Sequence, residues 1–111
     1  DWATFTSKRL YSTEPTYPIG AVKQHIRSAW SDAVLDRRSV FLAPTRADIT
    51  AVFPDAESIF RAGCGSIMAL PIVDGSDVLG TVNLWHRDGY YDRHKAETAG
   101  PFAVAIAPVC R

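Results

Sequence analysis

The sequence predicts an α+β domain built on an antiparallel sheet, and three observations carry this prediction. Two apolar runs at residues 66–73 and 78–85 flank a polar turn at 74–77, which is typical of a β-hairpin. Short segments with helical spacing of apolar residues precede this hairpin, and an alanine-rich one follows it. A strand, a loop, short helices, a hairpin and a final helix in this order indicate the α+β class.

The hairpin is expected at the centre of the sheet because both of its runs are apolar at most positions. Such strands are usually covered on both faces. Asp74 and Gly75 supply the turn chemistry, since Gly tolerates positive φ and Asp can bond its own backbone. Pro71 has no N–H to donate, so we expect it at a bulge or where its strand has no partner on that side.

The N-terminal region predicts strand followed by loop. Residues 2–12 are rich in aromatic and β-branched side chains and predict one strand, or two short strands that meet near Ser7. Residues 13–20 contain two prolines and end in glycine, so they predict a loop. Tyr11 and Tyr17 bracket this loop, and they either pack it down or line a cavity.

The middle of the chain predicts two short helices around a short strand. Ser28 is expected to cap a helix over residues 28–37, in which apolar residues share one face. Residues 39–43 predict a short apolar strand that ends at a proline. Residues 46–53 predict a second helix with an apolar side, which also ends before a proline.

Two further helices have clear ends in the sequence. Residues 55–62 predict a helix with Asp55 as its N-cap and Gly63 as the left-handed residue that follows it. Asp92 is expected to cap a C-terminal helix rich in alanine. The Gly-Pro pair at 100–101 predicts a kink or break in that helix.

Composition limits the possible classes of protein. The 111 residues predict one domain over 1–111, and the 47% hydrophobic content is sufficient for a core. Twelve Lys and Arg balance twelve Asp and Glu, which argues against a nucleic-acid binder. No apolar run reaches about 18 residues, so no membrane partner is expected. No secretion signal opens the chain and cysteines number only two, so we expect a cytoplasmic protein.

Several stretches resemble the GAF domain family. Residues 63–72, Gly-Cys-Gly-Ser-Ile-Met-Ala-Leu-Pro-Ile, and 78–86, Val-Leu-Gly-Thr-Val-Asn-Leu-Trp-His, resemble the second half of a GAF domain. So does the Gly-Tyr-Tyr at 89–91 that leads into the final helix. The front segment at 9–18 resembles a bacterial subgroup of small GAF proteins. The likeness covers most of the chain.

This resemblance implies a PAS-like fold, with a central antiparallel sheet of five or six strands flanked by helices and a pocket under loops. Domains of the family usually sense small molecules or mediate dimers, and most do no chemistry. The chain departs from the family because the usual N-terminal helix and strand are missing or abbreviated. It begins at Asp1 rather than at a methionine, which leaves open whether residues precede it. The departure is expected to leave a sheet edge exposed.

A ligand site is expected between the sheet and residues 29–60, under the loop at 11–20. Its candidate residues are Tyr11, Trp30, Phe53, Asn83 and Trp85. Asn83 is a polar amide in an apolar strand and would cost about 1–3 kcal/mol if buried without a partner. It must therefore face solvent, bond the backbone or bond a ligand. The alternative for the aromatic residues is that they simply fill the core.

Cys64 is the candidate for redox chemistry, since it lies between a helix end and the central strand. A reactive thiol needs a basic neighbourhood, and a buried structural thiol is the alternative. We expect no disulfide between Cys64 and Cys110, which lie in unrelated elements. The histidines show no metal-ligand spacing, and no nucleotide-binding or hydrolytic motif is present, so neither a metal site nor a catalytic residue is assigned.

Three hypotheses for function follow from these observations. The first is a cytoplasmic, non-enzymatic, GAF-type module that senses or binds an unidentified small molecule in signalling or regulation. The second is a redox enzyme or sensor that uses Cys64, and the third is a dimerisation module whose pocket is filled. A homodimer is expected, and no cofactor, ligand or output partner is identified by the sequence. A large cavity with convergent polar groups would favour the first hypothesis. An exposed Cys64 beside cationic groups would favour the second, and a filled core with a large apolar surface patch would favour the third.

Overall fold

The computed structural model describes residues 4–106 of the chain. It has an α+β fold with two small antiparallel sheets and four α-helices, in the class that the sequence predicts. The elements in chain order are β1 (Thr6–Lys8), β2 (Val22–Gln24), α1 (Ala29–Ser31), a π-helical turn (Asp32–Asp36), β3 (Phe41–Ala43), α2 (Arg46–Val52), α3 (Ala56–Arg61), β4 (Ser66–Asp74), β5 (Asp77–His86) and α4 (Arg93–Ile106).

The prediction of one sheet with five or six strands is wrong. In the described part of the chain, β1 pairs only with β2, while β3, β4 and β5 form a separate sheet in that order. The first two strands are short and bond each other, so they do not extend the larger sheet. The strand at β2 was not foreseen from the sequence.

The predicted hairpin is confirmed as the antiparallel pair of β4 and β5. Its register places Asp74 opposite Asp77, so the turn itself contains two residues. The first of them, Gly75, has φ of 60°, as its turn chemistry requires. The central position holds for β4 only, because β5 is an edge strand of the described sheet. Pro71 lies beyond the residues that pair with β3, so its missing N–H costs no ladder bond on that side.

The buried strand β4 is the centre of the core. Every residue from Ser66 to Ile72 is buried. Ile67 packs with residues of β3, α2 and α3, while Ala69 packs with Trp30 and other residues of the first helical segment. Side chains alternate across a strand, so Met68 and Leu70 face the other side, and α4 packs against β4. The apolar run in the sequence therefore reflects cover on both faces.

The helix ends follow their predicted caps with one exception. Ser28 caps α1 in a reciprocal pair of hydrogen bonds with Ser31, and the Asp92 carboxylate accepts the N–H of Lys95 at 2.9 Å. Asp55 occupies the N-cap position of α3, but its side chain makes no capping bond; its carboxylate binds Tyr17 instead. The expected cap at Asp55 is therefore wrong.

The C-terminal helix α4 is continuous through the Gly-Pro pair at 100–101, so the expected break is absent. A proline removes one helical hydrogen bond, and the remaining bonds of the helix carry it past that position. None of the helices in the described part of the chain is long and apolar enough to cross a membrane. Cys110 lies outside the described residues, so its pairing stays a prediction.

Candidate functional site

A groove opens between the small sheet, the first helical segment and the start of β5. It has a volume of about 100 Å³, and we call it the N-terminal groove. Its lining consists of residues 5–7, His25, Trp30, Leu35 and residues 78–81. The groove therefore joins the two sheets of the molecule and combines apolar and polar side chains.

Two aromatic rings define one wall of the N-terminal groove. The capping bonds of Ser28 start the helix, and this places Trp30 in the first turn with only 7% of its surface exposed. The His25 ring stacks on the Trp30 ring with centroids 5.1 Å apart and planes at 27°. The His25 Nε2 atom lies 2.6 Å from the Ser7 hydroxyl oxygen, which ties the end of β2 to β1.

The polar groups of this wall are partly unsatisfied. Burial lowers the pKa of His25 below its ordinary value, and the positive charge of Lys23 lowers it further, so the ring is neutral at pH 7. The Trp30 indole N–H is buried and has no acceptor among the described residues. An unpaired buried donor lowers the free energy of unfolding by about 1–3 kcal/mol. An acceptor for this N–H, which the described residues do not supply, would therefore stabilise the protein.

A second depression lies at the other end of the larger sheet, and we call it the Cys64 cleft. Its volume is about 190 Å³, and its lining consists of Arg46, Phe60, residues 63–65, Arg87 and Asp88. The cleft forms where three chain segments meet: the start of α2, the turn after α3 and the loop after β5.

Close backbone contacts fix the shape of the Cys64 cleft. Gly63 ends α3 with φ of 90°, as the sequence predicts. A Cβ atom on Gly65 would lie 2.8 Å from the backbone nitrogen of Asp88, so only glycine fits there. The Gly65 N–H donates to the His86 carbonyl at 2.8 Å, and the Arg46 N–H donates to Asp88 Oδ1 at 3.1 Å. The three segments are thus held together by hydrogen bonds.

The two arginines of the cleft lie against aromatic rings. The Arg46 guanidinium is 4.5 Å from the centre of the Phe60 ring, and the Arg87 guanidinium is 5.4 Å from that of Tyr90. Within the part of the chain whose side chains are described, neither arginine forms an ion pair, even with Asp88 in the same cleft. Both guanidinium groups therefore keep their hydrogen-bond donors for solvent or for a ligand.

Cys64 lies at the floor of this cleft but is only 4% exposed. Its thiol donates to the Ser66 carbonyl oxygen at 3.3 Å. Burial raises the pKa of the Cys64 thiol above its ordinary value, although backbone hydrogen bonds partly oppose that effect. The neutral thiol is therefore the form present at pH 7, and this form is a poor nucleophile.

The structure brings only one of the predicted ligand-binding residues to the N-terminal groove, namely Trp30. Tyr11 is 78% exposed, and Asn83 also faces solvent, one of the three options expected for it. Phe53 packs between the two core clusters, and Trp85 packs against the core, with its ring 5.0 Å from that of Tyr17. Phe53 and Trp85 therefore pack against the core rather than line the groove, whereas Tyr11 does neither.

Sequence reasoning missed His25 as a residue of the groove. A lone histidine between two unassigned segments carries no spacing signal, and its ring meets Trp30 only through the pairing of β1 with β2. Arg46 and Arg87 were likewise missed, since they are far apart in the chain and meet only in the folded domain.

Among the described residues, no group of three or more His, Cys, Asp or Glu side chains is arranged to hold a metal ion. Comparisons of the chain with protein-family models, with curated proteins and with solved structures give no match. The two depressions are therefore interpreted from their own geometry.

Proposed function

We propose that this protein is a non-catalytic module that binds a small molecule in the N-terminal groove. The observation that carries the proposal is the buried indole N–H of Trp30, which has no acceptor among the described residues and belongs to a residue that lines the groove. A bound ligand with an acceptor atom would remove that cost. The GAF resemblance of residues 63–72 and 78–86 supports the same class of function, in sensing or regulation.

The volume of the groove limits the ligand. About 100 Å³ is a small volume, so only a few heavy atoms of a ligand are buried in the groove. The best very small ligands gain at most about 1.5 kcal/mol per heavy atom, which limits such a ligand to micromolar affinity or weaker. This range suits a sensor of an abundant metabolite better than a tight carrier.

The lining also limits the chemistry of the ligand. Phe5, Leu35 and Val78 offer apolar contact, while Trp30 offers a donor and the neutral His25 ring offers polar contact. A compact ligand with one carbonyl oxygen and a short apolar body satisfies both requirements. A multiply charged ligand does not, because none of the described lining residues is a lysine or an arginine.

The test uses acetone and acetamide as probes and follows the Trp30 indole N–H by nuclear magnetic resonance. Saturable movement of this signal is the expected result in the parent protein. The backbone amide signals of the other groove residues, which the Trp30→Phe variant keeps, are expected to report three- to tenfold weaker probe binding in that variant. Trp85→Phe is the matched control, because Trp85 is half-buried and lies outside the groove lining. An indole signal that neither probe moves, in a protein that carries no small molecule in native mass spectrometry, would remove the proposal.

Self-association is the second candidate function, and a separate observation favours it. Five large apolar side chains of the N-terminal region are at least 63% exposed: Leu10, Tyr11, Ile19, Val22 and Ile26. Monomeric proteins rarely expose large apolar patches, and a second copy of the chain is the expected cover for these side chains. Sedimentation equilibrium at micromolar concentration tests this candidate; a dimer that Val22→Lys converts to monomer is expected, and a monomeric parent protein contradicts it.

The redox alternative has less support. Cys64 does line the same cleft as two arginines, but its thiol is buried and its raised pKa keeps it protonated. A redox thiol needs both exposure and thiolate character.

A further inference from the structure

We propose that the Cys64 cleft binds inorganic phosphate as its hydrogen phosphate ion. The site is distinct from the N-terminal groove and does not depend on it. It consists of Arg46, Arg87 and Asp88, three residues that line one cleft of about 190 Å³.

The first argument is the charge of the cleft. Two guanidinium groups and one carboxylate leave one net positive charge, and neither arginine is neutralised by an ion pair with a described side chain. Arginine presents its donors in a planar fork that matches the oxygens of phosphate. An oxyanion that bridges Arg46 and Arg87 would use donors that otherwise bind only water.

The second argument is the placement of the arginines. Each guanidinium lies against an aromatic ring, Phe60 for Arg46 and Tyr90 for Arg87, and these contacts restrict the rotamers of long side chains. The segments that carry them are joined by the hydrogen bonds of Gly65 and Asp88. The entropic cost of ordering the two arginines around an anion is therefore reduced before binding.

The third argument concerns Asp88, whose negative charge opposes most anions. Its Oδ1 atom accepts a hydrogen bond from the backbone N–H of Arg46, while Oδ2 accepts no hydrogen bond from a described residue. Hydrogen phosphate has acceptor oxygens for the arginines and one O–H that can donate to Asp88. Sulfate and the dianion of a phosphomonoester have no such proton at about pH 7.5, since esters lose their second proton near pH 6. Asp88 therefore selects for the free hydrogen phosphate ion.

Calorimetric titration of the full chain at about pH 7.5 and constant ionic strength tests the proposal, with phosphate, sulfate and methyl phosphate as separate probes. Phosphate is expected to bind at least tenfold more tightly than either other ion. Arg87→Gln and Arg46→Gln are each expected to weaken phosphate binding about tenfold, the loss expected for a charge-assisted hydrogen bond. Arg61→Gln is the matched control, because Arg61 is exposed and does not line the cleft, and it is expected to change affinity less than twofold.

Asp88→Asn provides the decisive variant. Asparagine keeps an oxygen for the Arg46 N–H, removes the negative charge and adds donors, so sulfate binding is expected to rise while phosphate loses its advantage. Circular dichroism confirms that each variant is folded, and all four substituted side chains are exposed. Absence of phosphate binding, equal binding of the three ions, or an equal loss in Arg61→Gln would each overturn the proposal.

Discussion

The described part of the chain contains two antiparallel hairpins that differ in strand length and in burial. The hairpin of β4 and β5 pairs strands of nine and ten residues through a two-residue turn, and its first strand is buried from Ser66 to Ile72. The hairpin of β1 and β2 pairs only three residues on each side, and every residue of β2 is exposed. The comparison shows that ladder bonds alone do not make a core.

The difference lies in what covers each hairpin. Helical segments pack against both faces of β4, whereas the small hairpin is held by a few links near its loop. The Arg9 guanidinium donates to the Pro18 carbonyl at 3.0 Å, and the Tyr17 hydroxyl donates to Asp55 at 2.9 Å. An isolated two-stranded hairpin is marginal in water, so the small hairpin depends on these links to the rest of the fold.

Shortening one apolar side chain in each hairpin gives the largest expected contrast. Leu70 in β4 is 1% exposed, so Leu70→Ala is expected to lower the free energy of unfolding by about 2–5 kcal/mol. Val22 in β2 is 68% exposed in the single chain, so Val22→Ala is expected to change the free energy of unfolding of the monomer by less than about 0.5 kcal/mol. Urea denaturation measures both values. Equal losses would mean that the small hairpin is buried in solution, by self-association or by a ligand.

Adding one methyl group distinguishes a tightly packed glycine from a loosely packed one. A Cβ on Gly65 would meet the backbone of Asp88 at 2.8 Å, so Gly65→Ala is expected to destabilise the protein by about 1–3 kcal/mol. A Cβ on Gly80 would meet only Ile72 Cδ1, at 3.7 Å. Gly80→Ala is therefore expected to be neutral or to stabilise by about 0.5–1 kcal/mol. The reverse order in thermal denaturation would contradict the packing of the larger hairpin and its loops.

The two hairpins also mark how far the sequence predicts the fold. The larger one carries long apolar runs around an Asp-Gly turn, and these local signals suffice to place both strands. The smaller one has no short turn, and residues 22–24 form the strand β2 by pairing with residues 6–8, which are distant in the sequence. The sheet was predicted too large because its strand number was taken from a family resemblance, whereas strand pairing is decided by tertiary contacts. The helix at 28–37 was placed correctly, although its π-helical turn has no local signal.

The candidate site was less predictable than the fold, for a related reason. Trp30 was identified because a large aromatic residue in a predicted helix can form an apolar wall of a ligand site. Asn83 was chosen on chemistry alone, and the structure places it in solvent on an edge strand. His25 joins Trp30 through long-range pairing, which no spacing pattern encodes. Residues that meet across elements therefore remained hidden in the sequence.

Removal of one hydroxyl tests how the loop of the small hairpin is attached to the rest of the fold. The Tyr17 hydroxyl donates to Asp55 Oδ2, and Asp55 Oδ1 is buried without a partner. Tyr17→Phe leaves this carboxylate with no described partner and is expected to cost about 1–2 kcal/mol in denaturant unfolding. Tyr11→Phe is the matched control, because Tyr11 is 78% exposed, and it is expected to have no measurable effect. Equal effects would show that the loop is not held at Asp55.

The smallest expected effect concerns pH and the stacked ring of His25. Burial lowers the pKa of His25 in the folded protein, so the unfolded chain, in which a histidine has its ordinary pKa of about 6.5, binds more protons. The stability that the neutral ring contributes is therefore complete above about pH 6.5 and is lost as the pH falls through the lower folded pKa. Because the ring is partly exposed, solvent screening keeps this loss small.

His25→Gln isolates this contribution, since glutamine keeps a polar group near Ser7 but does not titrate. Urea denaturation at pH 7.5 and pH 5.5 is expected to show a smaller loss of stability on acidification in this variant than in the parent protein. His94→Gln is the control, because His94 is exposed and lies on α4, away from the small hairpin, and its variant should follow the parent. If a ligand occupies the N-terminal groove, saturation with it should enlarge the difference, because a protonated His25 would then be buried more deeply. An identical pH dependence in parent and His25→Gln would mean that the ring is solvated, and the wall of the N-terminal groove would then be open in solution.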